Sequence, residues 1–103
     1  MINVDFISAL ESTSLVELTF NSKEKGEITR ICAPMDYGPW ARSSSNEDRY
    51  HFVSVDSSSG THPISITPEQ VVHMEVLEKK FSLKELVRWQ PNWHYARDWG
   101  MYS

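Results

Sequence analysis

A mainly β fold (α+β), a small five-stranded barrel with a short N-terminal helix and a helical or irregular C-terminal tail, is what this sequence predicts. Three observations carry that expectation. Five short segments have the apolar alternation or β-branched character of strands, polar or proline-bearing turns separate them, and a helix-start signature precedes the last. Short strands so close in sequence suit a strongly bent sheet that closes on itself. At 103 residues the chain is one domain, 1–103, with about 15–86 as barrel core and 87–103 as an aromatic tail.

Val4 to Glu11 opens the chain with Phe6, Ile7 and Leu10 at helical spacing and Asp5 at the positive end of the helix dipole. Leu15 to Phe20 then alternates, with Val16, Leu18 and Phe20 on one face. The polar turn SKEKG joins it to a partner strand, Ile28 to Ala33, and Pro34, Gly38 and Pro39 are expected to end that strand. The polar segment from Ala41 to Asp48 reads as a loop. Tyr50 to Val55 is apolar on both faces, as a central strand is, and HPISI reads as an edge strand because Pro63 cannot donate a ladder hydrogen bond. Thr67, Pro68 and Gln70 spell a capping box with proline at the first helical position. After that turn, Val72, Met74 and Val76 alternate like a strand, whereas Val71, Met74, Leu77 and Phe81 are spaced like a helix face; the clustered β-branched residues favour the strand. Ser82 and Glu85 repeat the capping spacing and open a second short helix through Leu83, Leu86 and Val87, which Pro91 interrupts.

From Leu15 to about Leu86 the chain resembles the WYL domain, an Sm-like small barrel of bacterial transcriptional regulators. The resemblance rests on Arg30 and Pro34 in RICAP, the aromatic strand YHFVSVD, and ISITPEQVVHMEVLEKKF with its closing phenylalanine. The position of the family's Trp-Tyr-Leu motif reads Arg49, Tyr50, His51 or Tyr50, His51, Phe52, and HPISITPEQV lacks the arginine of the family's ligand-associated strand. Arg30 is the position that carries over. The resemblance implies an Sm-like barrel of bacterial type in a regulatory setting.

The search for chemistry returns few signatures. His51, His62, His73 and His94 never pair at the four-residue spacing that sets two imidazoles on one helix face, so no metal site is expected. No serine sits in a GxSxG elbow, no glycine-rich phosphate loop exists, and Cys32, alone and flanked by Ile31 and Ala33, reads as a buried thiol. Neither an enzyme activity nor a cofactor is expected. The net charge of −4 disfavours a phosphate backbone as partner. A nucleic-acid or nucleotide sensor stays open as an alternative only through a local patch, with Arg30, Arg42 and Arg49 around a stacking surface of Trp40 or Tyr50. The N-terminal residues show neither the basic leader nor the apolar run of a secretory signal, and no stretch is long enough for a membrane span, so a cytoplasmic location is expected.

The tail holds three of the four tryptophans, Trp89, Trp93 and Trp99. Burying three indoles is worth about 15 kcal/mol, while ordering the dozen residues around them costs about 18 kcal/mol at about 1.5 per residue. The tail therefore docks only by completing a core, its own or that of a second copy. If a helix starts at Pro91, Trp93 and Arg97 lie four apart and the guanidinium covers the indole. Trp89, Trp93, Arg97 and Trp99 are the candidate interaction surface. A non-catalytic binding or regulatory module is the leading expectation, with a homo-oligomer or an unidentified protein as partner. A structural self-assembly unit, its tail packed across a two-fold, is the third reading.

Overall fold

The computed structural model describes residues 2–39, 46–58 and 60–103. Helix α1 spans Val4–Ser12, followed by strands β1 (Ser14–Ser22), β2 (Gly26–Pro39), β3 (Asp48–Ser57) and β4 (Gly60–Ile66). A 3-10 turn at Pro68–Gln70 leads into β5 (Val71–Lys80), then the one-turn helix α2 (Leu83–Leu86) and a last 3-10 turn at Gly100–Tyr102. All pairings are antiparallel and form one sheet in the order β4-β3-β2-β1-β5. The mainly β expectation holds, with both short helices at their expected places.

Each start signal acts locally. The Asn3 side chain accepts hydrogen bonds from the N–H groups of Asp5 and Phe6, which opens α1, and Thr13 ends it in the left-handed conformation. Gln70 Oε1 accepts from the Thr67 N–H at 3.0 Å and from the Thr67 hydroxyl at 3.2 Å, so the expected turn forms and β5 succeeds it as a strand. Ser82 Oγ accepts from the Glu85 N–H and caps α2.

Two expectations are corrected. Pro34 does not end its strand: β2 runs on to Pro39. The ladder between β1 and β2 extends only as far as the pair Val16↔Cys32, so beyond Cys32 one side of β2 has no neighbour that needs a proline N–H. A register shift between Pro34 and Asp36 then lets β2 continue beside β3. The closed barrel is the second correction. Closure requires a ladder between the two outer strands, and β4 pairs only with β3 while β5 pairs only with β1. The described sheet is open, and α1 packs against β1, β2 and β5.

The core lies between α1 and the inner face of the sheet. Phe6, Ala9, Leu10, Val16, Leu18, Cys32 and Ala33 have no exposed surface. Phe6 meets Phe52 edge to face at 5.3 Å and Tyr50 at 4.8 Å between ring centroids. The Tyr50 hydroxyl accepts the Asn3 N–H at 2.8 Å, which ties β3 to the start of α1. Burial pushes the Cys32 thiol up to about 12; the negative charge of Asp56 adds to this and the positive charge of Arg30 opposes it.

Candidate binding groove between the tail and the sheet

The tail returns over the second half of β2, and one carboxylate receives it. Asp36 accepts from the N–H groups of His94 at 3.0 Å and Tyr95 at 2.9 Å, and from Arg97 Nη2 at 3.0 Å. Arg97 donates further to the carbonyl oxygens of Tyr95, through Nε and Nη2, and of Met35, through Nη1. Its side chain is fully buried. The guanidinium carbon stands 4.1 Å from the ring centre of Trp93 and 4.4 Å from that of Trp99, in the angle of two indoles inclined at 78°. Burial pulls the Arg97 pKa down to about 10 against the charge of Asp36, which raises it, so the group stays protonated at neutral pH.

The indole N–H groups complete the docking. Trp99 Nε1 donates to the Leu10 carbonyl at 2.9 Å, and Trp93 Nε1 donates to that of Tyr102 at 2.8 Å. Gly38 makes the approach possible. A Cβ at this position would lie 2.7 Å from His94 Cβ, closer than two carbons pack.

Between the docked tail and the outer face of β3 and β4 runs a groove. One part, about 290 Å³, is lined among others by Met35, His51, Pro63, Ser65, Asn92 and Trp93. A second hollow of about 530 Å³ opens toward α2, with Thr61, Leu86 and Arg88 on its walls. Val53, Pro63 and Trp89 line both. Trp89 is 51% exposed, although its ring packs edge to face on Trp93 at 5.8 Å. Neither Trp89 nor Asn92 makes a side-chain hydrogen bond within the described residues.

In the groove floor, His51 pairs across the strands with Ser65. His51 Nε2 lies 2.9 Å from the Gly38 carbonyl oxygen, which can only accept, so this nitrogen carries the proton. In the neutral ring, Nδ1 then accepts from the Ser65 hydroxyl at 2.7 Å. The ring is locked at both ends and forms a rigid, partly polar floor.

Of the residues proposed for an anion site, the described arginines, Arg30 and Arg49, lie on opposite faces of the sheet. Opposed residues in an antiparallel ladder share a face. Arg30 faces Leu18, and the neighbouring pairs Val16↔Cys32 and Cys32↔Ser54 carry that face across to Phe52 and Tyr50. Arg49, next to Tyr50, projects to the opposite face and stands across from Gly38. Tyr50 is 3% exposed and its hydroxyl is engaged, so it offers no stacking surface. Trp40 and Arg42 lie outside the described residues. Of the tail candidates, Arg97 and Trp99 are interior, Trp93 is half-buried, and Trp89 alone faces solvent widely.

Asp36, Gly38, His51 and Ser65 were not expected from sequence. The available signal was Arg97 itself, since a cation among three indoles needs a carboxylate inside the fold. Among the described residues no group of three histidine, cysteine, aspartate or glutamate side chains is placed to hold a metal ion, and no helix is long and apolar enough to cross a membrane. In comparisons with protein-family models, curated proteins and solved structures, nothing matches this chain.

Proposed function

We propose that this protein is a non-catalytic binding module that holds an extended, proline-bearing peptide segment in the groove beside Trp89. The exposure of that indole carries the reading: the other two tail tryptophans are drawn inward while Trp89 stands half in solvent between two hollows. A polyproline II segment leaves its carbonyls unsatisfied and presents flat rings at regular intervals. Trp89 and Asn92 bring uncommitted N–H donors for the carbonyls, and the faces of Trp89, Pro63 and Val53 suit the rings. Pro63 also removes a donor from the free edge of β4, which disfavours capture by strand addition.

A regulatory setting, a cytoplasmic location and self-association are parts of the proposal that rest on sequence, the first through the WYL resemblance. The test is a titration of full-length protein with a proline-rich peptide library, read by tryptophan fluorescence. Trp89→Ala is expected to weaken the best binder at least about tenfold while leaving thermal stability within about 0.5 kcal/mol. Absence of any binder, or equal binding by the variant, would falsify the reading. So would turnover on a hydrolase panel that His51→Ala abolishes.

A further inference from the structure

The tail is attached to the sheet in an unusual way for a segment that carries a buried indole and a buried guanidinium. Among the described residues, its backbone from Arg88 to Trp99 makes no hydrogen bond to the backbone of any strand. Apart from the bond of Arg88 Nε to the Glu85 carbonyl next to the hinge, its hydrogen bonds to the body are the three to the Asp36 carboxylate, that of Arg97 to the Met35 carbonyl and that of Trp99 to the Leu10 carbonyl. The last backbone tie before the tail is Val87 N–H to the Leu83 carbonyl, and Arg88, Trp89 and Gln90 beyond it are exposed. The strands, by contrast, are held by backbone ladders.

From this we infer that residues 88–103 form a strap that opens as one unit about the segment after Val87, with Asp36 as the pin. Side-chain links to one carboxylate fail together, because losing Asp36 strands both the Arg97 charge and two N–H groups. A segment without ladder bonds belongs to the low-stability end of the fold, and the sheet outlives its opening. Trp89, Asn92, Trp93 and His94 supply one wall of the groove, so the open strap has no groove. Where the groove takes a peptide, a step that rests on the function proposed above, the ligand binds the closed form alone and holds it shut.

Hydrogen exchange on the full-length protein, read residue by residue, tests this without any ligand. Amides 94–102 are expected to exchange together and at least about tenfold faster than those of β1 and β2. Asp36→Asn is expected to speed the tail at least about tenfold further and leave the β1 and β2 rates unchanged. Asp36→Asn combined with Arg97→Met keeps one amide oxygen as acceptor for one of the two N–H groups and removes the stranded charge, and it should restore part of the protection. Tail amides that exchange at the rate of the sheet, or Asp36→Asn that speeds sheet and tail equally, would overturn the strap, because either makes the molecule one cooperative unit. A bound peptide that fails to slow the tail, in a protein whose free strap opens as described, counts against the groove reading alone.

Discussion

A methyl group added at Gly38 would stand 2.7 Å from both Cβ and Cγ of His94. His94 Cβ is fixed to the tail backbone, so no rotamer change relieves the contact. Since β2 is held by its ladder to β3 and the tail by side chains, the tail is the part that moves. Gly38→Ala should cost about 1–3 kcal/mol, as overpacking does, and shift tryptophan emission to the red. Wild-type emission and stability in the variant would mean that the close approach is not required. Cys32 gives a second test at this scale. With its thiol pushed up to about 12, about one molecule in ten thousand carries a thiolate at pH 8. An aromatic disulfide reagent should therefore leave the native protein unlabelled and react over the denaturant range where tryptophan emission reports unfolding. The folded state holds this proton more tightly than the unfolded one, whose thiol has the ordinary value of 9.0. The stability this group contributes is thus complete below about pH 9 and is lost as pH rises toward 12.

At the scale of elements, the features legible in the sequence are those that neighbouring residues decide. The cap before β5, the alternation of β1 and the edge position forced by Pro63 are local facts, and each holds in the fold. The extension of β2 through Pro34 is not local: it depends on where β1 stops facing it, and no feature of RICAPMDYGP says so. Asp36 was hidden for the same reason. In sequence it reads as a turn carboxylate between a proline and a glycine, and its partner Arg97 lies 61 positions away. Arg30 and Arg49 part on face parity, which a ladder register decides and a list of arginines cannot. The contact of Arg97 with Trp93 was expected from a helix, yet it forms where Pro91 to Trp99 has no helix, because burial of both groups against Asp36 enforces it. That expectation reached the right contact through the wrong local geometry.

For the whole molecule, the burial and ordering of the tail nearly cancel when only tryptophan area is counted. The structure supplies the remaining terms: a buried ion pair, carbonyls of Leu10 and Met35 satisfied from the tail, and edge-to-face packing of Trp99 on Phe81 at 6.0 Å. All of these are made within one chain, so the tail is a cover over its own sheet. A chain shortened to end at Val87 would keep every strand but uncover the part of α1 and Phe81 that Trp99 shields. Apolar surface of that kind drives association. Light scattering at matched concentrations should give the shortened chain about twice the mass of the full-length protein or more, with far-ultraviolet dichroism still that of a β protein. The reverse order, full-length protein heavier than the shortened chain, would mean that the tail bridges two copies. The Asp36–Arg97 pair would then join neighbours, and the groove would draw one wall from each.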